Sequence, residues 1–257
     1  MFQRAPSTDV DSRLHSHQEE LLTRGHTILP DVLSTSEVKE LREVVDASYR
    51  LHDPRIDFEG SNIANGRPNG SPPENGAVGR EYNFATCLIT KHPSIWPIVD
   101  RDPVISLIRS VIGPHCVLSS LNSLEPRHGY GHQPLHRDEG PVAPEGFVTA
   151  NSIWVLAPMD VGNGATRLLP GTHNTAELSD DTDTRLTYAE TAPGSGVVIN
   201  AHGLHGASIN RDGRRRRVIH GYFTKRGRQL QTDFRYYSSP ASIARLPASC
   251  RALLALD

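Results

Sequence analysis

Cys116-Val117-Leu118-Ser119-Ser120-Leu121-Asn122-Ser123-Leu124 is the stretch on which the fold turns. It is β-favouring, it follows Gly113-Pro114, and it opens a series of similar runs at 150–157, 165–169, 196–200 and 216–223. Gly, Pro and Asn punctuate the spaces between them. Many short strands divided by turn signals predict a double-sheet jelly roll or barrel. Upstream the texture is helical. Leu14 to Arg24, closed by Gly25, predicts a short helix, and Thr27-Ile28-Leu29 a short strand. Ser34 and Glu37 have capping-box spacing, and Val38, Leu41, Val44 and Val45 recur at helical spacing, so a helix is predicted from about Ser36 to Tyr49. Residues 92–112 carry two helical pieces broken at Pro103 and ended by Gly113-Pro114. Helices first and strands after predict a mainly β fold whose N-terminal helices buttress one sheet.

A chain of 257 residues suits one large domain with its own core, and no internal repeat divides it. With 37% apolar residues and a net charge of −2, nothing global points to nucleic acid or to a membrane surface. No apolar run reaches the length needed to span a bilayer, and the polar N-terminus has no apolar signal core. The three cysteines, Cys87, Cys116 and Cys250, show neither disulfide nor zinc spacing, which fits a reducing cytoplasm. Residues 1–13 read as flexible. Residues 52–79, dense in Gly, Pro and Asn, form a loop too long for a compact domain without a task, and read as a lid over a site.

His136-Arg137-Asp138 carries the chemistry. With 13 His in the chain a lone H-x-D means little, but this one follows a Gly129-Tyr130-Gly131 turn in an extended setting. Residues i and i+2 of a strand point to one side, so His136 and Asp138 can both face a barrel interior while Arg137 points away. His202, His205 and His220 compete to be the third ligand. His205 is preferred, because it follows the 196–200 strand and precedes the small residues Gly206, Ala207 and Ser208. Two imidazoles and one carboxylate occupy one face of an Fe(II) octahedron, leaving two positions for a 2-oxo acid and one for O2.

A 2-oxo diacid such as 2-oxoglutarate needs a fixed cation for its far carboxylate. Arg214 to Arg217 offer four. On a strand, Arg214, Arg216, Val218, His220 and Tyr222 share one face, and Arg216 is the choice for the clamp. Within Asn163-Gly164-Ala165-Thr166-Arg167-Leu168-Leu169-Pro170-Gly171-Thr172-His173, Thr166 offers a hydroxyl to an anionic oxygen. Trp154, His220 and Tyr222 are candidates for contact with a substrate, with core packing the other reading of Trp154.

Gln133-Pro134-Leu135-His136-Arg137-Asp138, residues 163–173 and His205-Gly206-Ala207-Ser208 through Arg216 resemble the phytanoyl-CoA dioxygenase family of Fe(II)/2-oxoglutarate oxygenases, in its natural-product tailoring branch. The resemblance covers roughly residues 27–224. It implies a double-stranded β-helix, a cupin-like jelly roll with helices on the major sheet. It implies His136, Asp138 and His205 as iron ligands, Arg216 at the distal carboxylate of 2-oxoglutarate, and Gln133 and Thr166 against the cosubstrate. A carboxylate at Asp138 argues against a halogenase in which halide replaces that ligand. The segment 225–257 matches nothing in the resemblance and reads as a C-terminal extension. The expected activity is oxidation of an unactivated C–H bond of a small molecule, a secondary metabolite, by hydroxylation, desaturation, epimerisation or ring closure. The alternatives are a non-redox jelly-roll isomerase or ligand-binding protein, and a primary-metabolism acyl-thioester hydroxylase. The expected partners are a small-molecule substrate and at most a second copy of the chain.

Overall fold

The computed structural model describes residues 8–51, 82–140 and 146–257. The 52–79 segment, read above as a lid, lies outside the described residues, as do residues 1–7. Two antiparallel sheets form the body. The larger has the strand order β1 (His26–Leu29), β8 (Gly196–Asn200), β5 (Thr149–Val155), β10 (Val218–Lys225), β3 (Cys116–Pro126) and β2 (Tyr82–Ala85). The smaller has the order β4 (Gln133–His136), β9 (His205–Ala207), β6 (Thr166–Leu168) and β7 (Thr187–Tyr188). Strands distant in sequence lie side by side, as a jelly roll requires.

Helices α1 (Thr8–Arg24), α2 (Thr35–Leu51), α3 (Trp96–Val99) and α4 (Val104–Ile112) belong to the layer outside the larger sheet. The α2 start is the expected capping box: the Ser34 amide donates to Glu37 Oε2 at 2.8 Å, and the Glu37 amide donates to Ser34 Oγ at 3.3 Å. Helix α1 begins at Thr8, earlier than the expected Leu14, because the intervening residues hold no Gly or Pro to break it. The apolar face of α4, with Ile105, Leu107, Ile108 and Ile112 buried, packs on β5 and β8.

The two faces of the larger sheet carry different cargo. On the helix side Leu118, Leu121, Ala150, Trp154, Val198, Ile219 and Phe223 join the main core with the helices. On the inner side Ile153, Val155, Val197, Ile199 and Val218 meet Leu168 of the smaller sheet in a second core. Alternation along each strand separates the two sets. The C-terminal extension folds into α5 (Phe234–Tyr237), α6 (Pro240–Arg245) and α7 (Ala248–Leu253). Phe234, Leu246, Leu253, Leu254 and Leu256 complete the helix-side core. All three cysteines are buried and part of that core.

Two expectations change. The last strand starts at Val218, not at residue 216, so Arg216 sits in the approach to β10 and its direction is not set by strand alternation. Trp154 is 2% exposed in the helix-side core, on the face of β5 opposite the inter-sheet space, so it is a packing residue and not a substrate contact.

Candidate metal centre

The inner face of the smaller sheet is built by cross-strand pairing. His136 pairs with His205, which pairs with Leu168; Gln133 pairs with Ala207, which pairs with Thr166. Directly opposed residues share a face, so His136, His205, Gln133 and Thr166 stand together facing the larger sheet. Asp138 lies two residues beyond β4, with its amide hydrogen-bonded to the Ala201 carbonyl at 3.1 Å.

The ligand atoms of His136, Asp138 and His205 lie within 4.8 Å of one another, the only such His/Cys/Asp/Glu group among the described residues. His136 Nε2 is 3.5 Å from Asp138 Oδ1, and His205 Nε2 is 3.4 Å from Asp138 Oδ2. Two ligands at right angles on a metal, each at about 2.1 Å, stand about 3 Å apart, so the set is close to closure around one ion. The tautomers are fixed from behind. His136 Nδ1 is 3.0 Å from the Pro134 carbonyl and His205 Nδ1 is 3.0 Å from the Gly203 carbonyl. A carbonyl only accepts, so each Nδ1 carries hydrogen and each Nε2 is left to face a metal. Asp138 is oriented by Asn151, whose Nδ2 donates to Oδ2 at 2.7 Å.

Burial would raise the Asp138 carboxyl, but the His205 charge and hydrogen bonds from His136, His205 and Asn151 outweigh it and hold the group well below the usual range. Burial opposes the His205 cation, and Asp138 overcomes it, raising the imidazole. This mutual compensation stands where a cation would sit. A ligating imidazole must be neutral at Nε2, so metal uptake displaces a proton.

Arg137 points away as expected, donating to the carbonyls of His202 at 2.7 Å and Thr172 at 3.0 Å. His202 is structural: its Nδ1 meets the Gly140 carbonyl at 2.8 Å, and its Nε2 accepts from the Val148 amide at 3.0 Å.

On the facing wall, His220 and Tyr222 occupy the inner side of β10, in register with Ile153 and Asn151. Burial pulls His220 down to about 4, opposed by Asp138 and reinforced by His205, Arg216 and His136, which keeps the ring neutral. Arg216 is 5% exposed. Its Nη1 donates to the Gly164 carbonyl at 2.8 Å and its Nη2 to the Leu124 carbonyl at 3.0 Å, while Nε has no partner among the described residues. Its neighbours are neutralised: Arg214 by Asp160 and Asp212, Arg215 by Asp46 and Glu125, Arg217 by Asp46. Among the described residues Arg216 has no carboxylate partner. A buried guanidinium with no ion-pair partner among the described residues, and an Asn122 Nδ2 on the strand beside His220 that likewise has no partner among them, fit a polar anionic ligand. The donor set and this lining together suit a ferrous ion with a 2-oxo diacid.

Sequence reasoning missed Asn151. An Asn in the middle of the β-favouring run Thr149–Val155 is the signal that was there, since strands disfavour it unless its amide has work.

Comparison with known proteins gives the same reading. Residues 22–218 match the model of the family described as Phytanoyl-CoA dioxygenase (PhyH). The dioxygenase af480 of Aspergillus fumigatus is 24% identical over 225 residues, covering 84% of this chain and 68% of that protein. Among solved structures, the non-haem α-ketoglutarate-dependent epimerase SnoN from nogalamycin biosynthesis superposes with a TM-score of 0.62 at 14% identity, covering 84% of each chain. HygX from Streptomyces hygroscopicus, with nickel, 2-oxoglutarate and hygromycin B bound, gives 0.62 at 12% identity, covering 82% of this chain and 87% of its own. At such identities the structures speak for the fold; the family match over most of the sequence speaks for descent, and the chain belongs to the phytanoyl-CoA dioxygenase family of non-haem iron oxygenases.

Proposed function

We propose that this protein oxidises an unactivated C–H bond of a small natural product, using Fe(II) held by His136, Asp138 and His205, with 2-oxoglutarate and O2 as cosubstrates. The observation that carries the reading is the convergence of three ligand atoms within 4.8 Å, with both imidazole Nδ1 atoms pinned by carbonyls. Bound there, iron couples the oxidative decarboxylation of 2-oxoglutarate by O2 to oxidation of the substrate. The protein supplies orientation. Asn151 holds the Asp138 carboxylate in one rotamer. Gln133 and Thr166, beside the ligands on the inner face, give hydrogen bonds to the cosubstrate, and Arg216 receives its far carboxylate as a fork. Neutral His220 and protonated Tyr222 form the opposite wall and offer uncharged polar contacts to substrate. The natural-product assignment is supported by the company of the fold, an epimerase of nogalamycin biosynthesis and an enzyme with hygromycin B bound.

The test is release of labelled CO2 from 2-oxoglutarate with Fe(II), ascorbate and oxygen. Wild type is expected to show slow turnover without a substrate, and His136→Ala and Asp138→Ala none. A fully active Asp138→Ala would overturn the ligand set. Candidate metabolites are then screened for mass changes of about +16 or −2, the signatures of oxygen insertion and desaturation.

A further inference from the structure

Gln133 and His136 are three residues apart, so on a regular strand they would face opposite sides of the sheet. Instead Gln133 Nε2 lies 3.3 Å from His136 Nε2. The register explains this. Gln133 pairs with Ala207 and His136 with His205, so β4 takes three steps where β9 takes two. The additional residue is a bulge at Pro134-Leu135, and a bulge re-aims side chains. The bulge sets the Gln133 carbonyl against Gly206, and Arg167 Nη2 donates to that oxygen at 2.5 Å.

Arg167 reaches it from β6, two strands away. Its chain neighbours Thr166 and Leu168 point inward, so Arg167 works from the outer face of the smaller sheet. The residue it must cross is its register partner Gly206. A Cβ at Gly206 would stand 2.5 Å from the Gln133 oxygen and 3.0 Å from the Pro134 oxygen, so only glycine leaves the bulge in place. The Arg167 side chain is 6% exposed, and its Nη1 is held 2.7 Å from Asp181 Oδ1. Asp181 Oδ2 is in turn 3.6 Å from His132 Nε2, next in sequence to Gln133.

We infer that Arg167 is a positioning residue: by holding the β4 bulge from the outside, it aims Gln133 at the metal-ligating set and so tunes affinity for 2-oxoglutarate. This rests on the proposed cosubstrate role of Gln133 and extends it to a side chain on the far face of the sheet.

The experiment measures binding of labelled 2-oxoglutarate to Ni(II)-loaded protein by equilibrium dialysis, alongside Ni(II) affinity. Absence of binding to wild type would sink the functional reading itself, and the inference with it. With wild type competent, Arg167→Met and Gln133→Ala are each expected to raise the 2-oxoglutarate Kd about tenfold, the cost of losing one hydrogen bond to a charged group. The double variant is expected to be no weaker than Gln133→Ala alone, with Ni(II) affinity within about threefold of wild type throughout. Arg167→Lys, which keeps one cationic donor, is expected to recover part of the loss. Effects of Arg167→Met and Gln133→Ala that multiply in the double variant would overturn the inference, because a merely stabilising arginine acts independently of Gln133. Should Arg167→Met not fold, the same cycle is run with Arg167→Lys, and multiplication there is equally decisive.

Discussion

Replacing Arg216 by Met separates binding from stability. A charge-assisted hydrogen bond contributes about 1.5–3 kcal/mol, and a carboxylate gripped by a guanidinium fork makes two, so about 3–6 kcal/mol of 2-oxoglutarate binding is at stake. At about 1.4 kcal/mol per factor of ten, the Kd is expected to rise at least a hundredfold. The effect on folding is small by cancellation. Arg216→Met removes a buried cation that has no ion-pair partner among the described residues, which is favourable, and strands the carbonyls of Gly164 and Leu124, which costs about 1–3 kcal/mol each. The melting temperature is therefore expected to move by less than about 5 °C. Arg215→Met should behave in the opposite way. Arg215 neutralises Glu125, whose side chain is 3% exposed, while its own is 44% exposed. Breaking a fully buried pair costs about 3–5 kcal/mol; discounting for the wet partner leaves about 2 kcal/mol, or a fall of about 4–8 °C. Its 2-oxoglutarate Kd should stay within about threefold. Dialysis against Ni(II)-loaded protein and thermal unfolding give both numbers. A Kd for Arg216→Met within about threefold of wild type, or equal weakening by both substitutions, would refute the assignment of the clamp.

Asn151→Leu frees the Asp138 carboxylate and is expected to weaken Ni(II) or Fe(II) binding about 10–100-fold with 2-oxoglutarate affinity following; calorimetric metal titration reads it, and unchanged affinity counts against the orienting role. Gly206→Ala drives a Cβ into the Gln133 carbonyl and should cost about 1–3 kcal/mol in urea unfolding while also weakening 2-oxoglutarate binding. Burial lowers His26 to about 4, with Arg24 assisting. The unfolded chain then binds the proton first, so this residue's contribution is whole above about pH 6.5 and falls by about 3 kcal/mol as the pH drops to about 4. Urea unfolding of His26→Gln across that window should show a shallower pH slope than wild type, and an identical slope excludes His26 as its source.

The legible parts of this chain are those in which local pattern and tertiary role agree. The α2 capping box, the strand at Gly196–Asn200 and the His136/Asp138 spacing each follow from nearest neighbours in sequence. Reading failed where long-range packing decides. Trp154 and Ile153 are adjacent and both buried, and only the sheet's position between helices and partner sheet says which one faces the site. The strand expected at 216–223 began two residues late because Arg216 turns its guanidinium to the carbonyls of Gly164 and Leu124, contacts invisible to alternation. The β4 bulge was hidden for the same reason: Pro134 hints at a defect in the ladder, but only the partner strand counts the steps. The extension after residue 225 carried Phe234, Leu253, Leu254 and Leu256 at no clear period, yet these close the helix-side core.

The seclusion of every sulfhydryl has a practical outcome. Cys87, Cys116 and Cys250 enter the same helix-side layer from three distant parts of the chain, and burial discourages the thiolate at Cys116 and, at about 11, at Cys250. Alkylating reagents therefore meet a closed door in the native fold, and each modification event records a moment when that layer came apart. The chain carries its own unfolding clock, readable by mass spectrometry at three places, and the tag on Cys250 reports whether the C-terminal helices detach before the barrel does.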